Sequence, residues 1–161
     1  REMKSWFPFY VALLAFMIYK YRAKSIAWII SIALLMAISD QISSNFFKNF
    51  FERLRPCQDP CMQVYARLLL GRCPTSFSFT SSHAANHFAA AIFFFITLKP
   101  ILKKWAYWFF VWAGTIAYGQ VYVGVHYPLD VLVGAITGLL VGYFFTLVYN
   151  KYFGLPAPQK V

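Results

Sequence analysis

Charged residues cut this chain into apolar stretches at 5–19, 25–47, 74–99, 105–129 and 131–150. The second carries one acid, Asp40, the third ends on Lys99, and the others carry no Asp, Glu, Lys or Arg. A bilayer core takes about 20 apolar residues of helix, with a range of about 17–25. Four stretches meet that length, and the first falls short unless tilted or flanked by snorkelling side chains. The pattern predicts an all-α, integral membrane helical bundle of five transmembrane helices, forming a single domain over residues 1–161.

Composition agrees with lipid as the solvent. The chain is 60% hydrophobic, 21% aromatic and 12% charged, against roughly 45–50% apolar and about 25% charged residues in soluble domains. A net charge of +10 suits nucleic acid in general, but its distribution excludes that partner here. Lys20, Arg22 and Lys24, then Lys99, Lys103 and Lys104, then Lys151 and Lys160, fall in segments that alternating spans place on one side. Short loops dense in lysine are cytoplasmic, so the remaining loops face outward. A basic membrane surface also attracts anionic lipids.

Local signals refine the elements. Phe46, Phe47, Phe50, Phe51 and Leu54 recur at helical spacing beyond the second stretch, which predicts packing or interfacial burial. Arg55 precedes Pro56, and a residue before proline leaves the α region, so the helix is expected to end at Arg55. Residues 56–75 read as an outer loop, with a short surface helix possible over 62–70. Ser81 and Ser82 ahead of an apolar run give an N-cap signal, with His83 in the first turn. Pro100 marks the end of that helix, and Pro128 fits the first turn of the last. Gly134, Ala135, Gly138 and Gly142 on the last helix predict close helix packing. Cys57, Cys61 and Cys73 share the outer loop. An oxidising compartment would bridge one pair and leave a third thiol, without indicating which; three ordinary thiols are the alternative.

Three separated clusters carry chemistry. They are Lys48 with Arg55 and Pro56, then Ser81-Ser82-His83, then Gln120 with His126 and Asp130. Their order and spacing resemble the type 2 phosphatidic acid phosphatase family, whose signature reads K-x6-R-P, P-S-G-H and S-R-x5-H-x3-D. The resemblance covers residues 48–130. The first block matches in full, the second keeps Ser81 and His83, and the third keeps His126 and Asp130. Family members have six spans, three before the first block. Two precede it here, which implies either a helix upstream of Arg1 or a shorter variant.

The resemblance implies roles. His126 attacks phosphorus and becomes a phosphohistidine, Asp130 holds its ring, and His83 protonates the leaving oxygen and then activates water. Lys48 and Arg55, seven residues apart and expected on one helix face, bind the phosphate with Ser81, Ser82, Gln120 and the helix mouth behind them. Arg53 and Glu52 read as interfacial. Ser82 replaces the family glycine and adds a hydroxyl, and Thr80 replaces proline. Gln120 replaces arginine and brings no charge, an exchange predicting about a tenfold loss, which Arg67 or Arg72 is placed to offset. His83 and His87 are four apart but lack the glutamate of a zinc protease, so no metal and no cofactor are expected. Asp40, inside a span, is expected to pair with Lys48, Arg55 or another helix.

Together these features imply a lipid phosphatase with its active site at the outer membrane interface. Its partners are the bilayer and a phosphorylated membrane lipid: undecaprenyl diphosphate, phosphatidylglycerol phosphate, a lipid A phosphate or phosphatidic acid. The expected location is a bacterial inner membrane with the site facing the periplasm or exterior. The alternatives are a lipid phosphotransferase using the same histidine and an inactive lipid-binding relative.

Overall fold

The computed structural model describes residues 3–66, 68, 69 and 71–156, and among these every regular element is a helix. The helices are α1 (Met3–Tyr21), α2 (Lys24–Asp40), α3 (Lys48–Phe51), α4 (Ser82–Leu102), α5 (Trp108–Tyr122) and α6 (Pro128–Phe153). A π-helical stretch, Gln41–Phe47, joins α2 to α3, and a 3-10 turn, Lys103–Tyr107, joins α4 to α5.

Among the described residues, three helical stretches are long and apolar enough to cross a membrane: Lys24–Phe51, Ser82–Tyr122 and Pro128–Phe153. The middle one, of 41 residues, is two legs. Lys103 takes a left-handed φ of 50°, and α5 folds back so that Phe95 of α4 meets Tyr107 and Phe110. The five apolar stretches of the sequence thus become five helical legs, the first lying in α1, whose apolar part Trp6–Tyr21 is shorter than the three long stretches. Pro100 lies inside α4 rather than ending it, since the helix runs two residues further.

α4 is the central post. It runs parallel to α6, because Gly134, Gly138 and Gly142 face Ser81, Ala85 and Ala89 in register. A Cβ at Gly134 would lie 2.6 Å from the Ser81 carbonyl oxygen, and one at Gly142 2.6 Å from that of Ala89. Only glycine lets the two backbones approach this closely. α2 runs antiparallel to α4: Trp28 stacks on Phe94 and donates its Nε1–H to Thr97 Oγ1 at 3.1 Å.

This alternation places the turns bearing Arg22 and Lys24, Lys103 and Lys104, and the Lys151 end of α6 at one end of the bundle. Lys160 lies outside the described residues. The other end gathers the C-terminal end of α3, the N-termini of α4 and α6, and the described residues of the 52–81 loop. The Phe46, Phe50 and Phe51 rings there are more than half exposed, turned outward as a lipid-facing surface.

Candidate active site

The cationic block is shaped by two departures from a plain α-helix. A π-helical turn holds one extra residue per hydrogen-bonded ring and rotates whatever follows it; here it immediately precedes Lys48. The helix then ends at Phe51, four residues before Arg55, because Glu52 takes a left-handed conformation with φ 45° and ψ 29°. Lys48 and Arg55 therefore do not share a helix face. Lys48 sits half-buried on the last helical turn, whereas Arg55 is 4% exposed in the loop beyond it.

The loop aims Arg55 inward. Its Nε–H donates to the Ser76 carbonyl at 2.7 Å and Nη2–H to Ser76 Oγ at 2.9 Å. Nη1–H donates to the Val125 carbonyl at 3.0 Å and lies 3.1 Å from His126 Nε2. Gln58 and the Cys57–Cys73 disulfide brace the same loop: Gln58 Nε2–H donates to the Pro74 carbonyl. Cys61 is the free, exposed thiol. The residues from Asp59 to Ala66 make successive turns rather than a surface helix.

His126 is 3% exposed and Asp130 wholly buried. Two backbone features fix the histidine: its N–H and that of Val125 both donate to the Gln120 carbonyl, at 3.3 Å, and the helix bearing Asp130 begins just after it. The Nδ1–Oδ2 separation is 3.6 Å, and Ser78 fills the gap. Its Oγ donates to Asp130 Oδ2 at 2.5 Å and lies 3.3 Å from His126 Nδ1. A hydroxyl that donates to the carboxylate accepts from Nδ1–H, which leaves Nε2 unprotonated and facing Arg55. Burial lowers the His126 pKa below 6.5, the Asp130 carboxylate pulls the other way, and the Arg55 and Lys48 charges lower it further. The result is a neutral imidazole with its lone pair turned toward a guanidinium.

Asp130 is held from every side. Besides Ser78, it accepts the Tyr127 N–H at 2.9 Å and Arg53 Nη1–H at 2.8 Å. Arg53 also lies 4.0 Å over the Tyr127 ring, whose hydroxyl donates to Asp59 at 3.1 Å. Arg53 is thus part of the site and not an interfacial cation. Neither Arg53 nor Ser78 was predicted. Arg53 differs from its neighbours by no pattern of its own, and Ser78 is one of four serines between 76 and 82.

The α4 mouth forms as the serines predict. Ser81 caps the helix, its Oγ accepting from the Ala84 N–H at 3.4 Å, and its own N–H donates to the Asp130 carbonyl at 3.0 Å. Ser82 Oγ pairs with Ser44 Oγ at 2.9 Å, which ties the π stretch to this mouth. His83 follows in the first turn, and its carbonyl accepts His87 Nδ1–H at 2.7 Å. Asp40 takes Asn86 of α4 and Ser44 as partners, both at 3.3 Å. The Gln120 side chain, 2% exposed, donates back to the Ile116 carbonyl of its own helix. Arg72 is exposed and Arg67 lies outside the described residues. Among the described residues no three His, Cys, Asp or Glu side chains group as metal ligands.

The profile of the PAP2 superfamily matches residues 28–153. A lipid A 4'-phosphatase of Porphyromonas gingivalis is 32% identical over 159 residues, covering 96% of this chain and 66% of that protein. One from Bacteroides thetaiotaomicron is 33% identical, covering 91% of this chain and 65% of its own. The chain therefore spans about two thirds of the length of these relatives. Among solved structures, the transmembrane PAP2 type phosphatidylglycerolphosphate phosphatase of Bacillus subtilis superposes with a TM-score of 0.67 at 26% identity, over 94% of this chain and 72% of that one.

Proposed function

The chain belongs to the PAP2 superfamily, and on that footing we propose that it hydrolyses a lipid phosphate or diphosphate through a phosphohistidine on His126, without a metal. The observation that carries this is the pairing at His126: Nε2 is 3.1 Å from the Arg55 guanidinium, while Nδ1 is tied through Ser78 to Asp130.

A phosphate oxygen bridging to Arg55 brings phosphorus next to the Nε2 lone pair. Lys48, close enough for its charge to be felt at His126, and the α4 mouth at Ser82 and His83 hold further oxygens. Nε2 attacks phosphorus and the bond to the leaving oxygen breaks, that oxygen taking a proton from His83. The imidazole becomes cationic as it is phosphorylated. Its Nδ1–H then bonds more strongly to Ser78 and Asp130 than in the resting state, which is where differential stabilisation of the transition state arises. Water attacks next, His83 takes its proton, the P–N bond breaks, and inorganic phosphate leaves. Ser81 acts in this scheme by capping the helix and holding the Asp130 backbone. Gln120 acts chiefly through its carbonyl, which anchors His126.

The relatives named lipid A 4'-phosphatase, each covering over nine tenths of this chain, favour a lipid A phosphate over undecaprenyl diphosphate, phosphatidylglycerol phosphate and phosphatidic acid. The site faces outward from an inner membrane. A disulfide braces its end of the bundle and suits an oxidising compartment, while the dense lysine turns lie at the other end.

The test is phosphate release in detergent with EDTA, over these four lipid classes, for the wild type and His126→Ala. Release that survives EDTA and is lost in the variant supports the reading. Equal release from the variant, or none from any lipid, overturns it.

A further inference from the structure

The end of the bundle opposite the active site carries charge of one sign among the described residues. Cations crowd the turns after α1 and α4 and the last turn of α6, whereas Asp40, Glu52, Asp59 and Asp130 all lie at the His126 end. Among the described residues none of these cations has a carboxylate within ion-pair distance; the Arg53–Asp130 pair belongs to the other end.

Three of the cations line one groove. Lys99, Lys103 and Lys104 share a space of about 730 Å³ with Phe95, Ile96 and Tyr107, at the bend between α4 and α5. Lys99 is held in place: its Nζ lies 4.8 Å from the centroid of the Phe95 ring and 5.8 Å from that of Tyr107, a cation–π setting. Lys103 has φ 50° and ψ −123°, a conformation that glycine takes freely and lysine takes at a cost. A side chain kept at a strained turn is an observation that calls for a use. Two cations beside a third that aromatic rings fix in position make a receptor for an anion.

The depth of the groove selects the anion. Trp105, Tyr107 and Trp108 around it are all more than half exposed, and Trp and Tyr collect at the headgroup level of a bilayer. Phe95 and Ile96, one turn of α4 before Lys99, form the apolar floor on the membrane side. Val111 continues that surface along α5 and is also more than half exposed. A free phosphate would engage the lysines alone. A phospholipid engages the lysines with its phosphate and the apolar flank with its chains, so it complements the whole groove.

We infer that the bend between α4 and α5 is a binding site for an anionic phospholipid of the leaflet opposite the active site. Lys99, Lys103 and Lys104 take its phosphate, and its chains lie along Phe95, Ile96 and the α5 flank. The site is separate from catalysis, because the 21 residues of α4 put the bend roughly 30 Å from the Ser82 mouth. It does not depend on which lipid the active site hydrolyses.

The test is thermal unfolding and equilibrium binding of the full chain in an uncharged detergent. The ligands added are phosphatidylglycerol, phosphatidylcholine with the same chains, and inorganic phosphate. Phosphatidylglycerol should raise Tm saturably in the wild type, and the other two should not. In Lys99→Gln/Lys103→Gln/Lys104→Gln that rise is lost and the Kd for phosphatidylglycerol weakens by at least about tenfold. Lys20→Gln/Lys24→Gln, which removes charge from the α1–α2 turn at the same end, keeps both. A ligand that also enters the active site does so equally in wild type and variants, so the difference between them reads the groove alone. Lys103→Gly serves if the triple variant fails to fold: it relieves the left-handed residue, so its lipid-free Tm should rise while its Kd weakens severalfold. An unchanged Kd in the groove variants, or an equal loss in Lys20→Gln/Lys24→Gln, overturns the inference and leaves only diffuse surface charge. An equal response to phosphatidylcholine or to inorganic phosphate overturns it as well, the latter making the groove a site for a free anion.

Discussion

Ser78 gives the most informative single substitution, because it stands between the two residues that define the site. Its hydroxyl is buried, as are Asp130 and His126. It donates to Asp130 at 2.5 Å and accepts from His126 Nδ1 at 3.3 Å. Ser78→Ala removes both bonds in a place where water is excluded. Asp130 keeps Arg53 and the Tyr127 N–H, so the carboxylate remains satisfied and the fold loses about 1–2 kcal/mol at most. The histidine fares worse, left with a carboxylate 3.6 Å away and no acceptor at hydrogen-bond distance. A bond to a charged partner contributes about 1.5–3 kcal/mol, and each 1.36 kcal/mol is about tenfold in rate. The expected loss is therefore roughly ten- to a hundredfold. It should fall on kcat with KM little changed, since the bond strengthens only as His126 becomes cationic. Steady-state phosphate release with Tm measured in the same detergent separates the two effects, and Ser78→Thr, which keeps the hydroxyl, should recover part of the rate. A Ser78→Ala enzyme within twofold of wild-type kcat, with its Tm intact, would refute the relay.

Four further outcomes follow from the same geometry. Burial holds the His126 pKa below 6.5, so the acid limb of kcat/KM should lie below that value. Because the unfolded chain takes up this proton first, the stability tied to His126 is complete above 6.5 and is lost as pH falls through 6.5 to the folded value. Tm should then drop more steeply on acidification in the wild type than in His126→Asn. Glu52→Gly relieves a left-handed residue and should raise stability by about 1 kcal/mol, seen as a higher Tm; a lower one would contradict the backbone assignment. Gly138→Ala sets a methyl group against the Ala85 carbonyl. It should cost about 1–3 kcal/mol and reduce turnover as well, since α4 and α6 can part only by loosening the Ser81 N–H bond to Asp130. Cys57→Ser opens the Cys57–Cys73 loop and should cost about 3 kcal/mol, whereas Cys61→Ser, at an exposed thiol, should leave Tm within about 0.5 kcal/mol equivalent.

The sequence exposes what depends on pattern and hides what depends on backbone detours. Five apolar stretches give the five helical legs, and the serine pair before His83 gives the cap, because both signals are local. The glycines of α6 announce close packing for the same reason. The end of α3 at Phe51 was not legible, since glutamate has no preference for the left-handed conformation that Glu52 adopts. The π-helical turn before Lys48 leaves no mark in composition either. Those two features break the expected common face of Lys48 and Arg55, and they free the 52–55 segment to place Arg53 on Asp130, 77 residues away. Ser78 reaches Asp130 over a separation of 52. Contacts at that range come from the folded arrangement, so spacing along the chain could not reveal them.

The central claim is covalent, and trapping the covalent species tests it most directly. The enzyme would be mixed with a lipid labelled in its phosphate, quenched within a turnover and denatured, and the protein-bound label counted. A phosphoramidate on His126, labile to acid, stable to base and absent from His126→Ala, is the predicted result. Label that never enters the protein while phosphate is still released, or that remains in His126→Ala, would contradict the account.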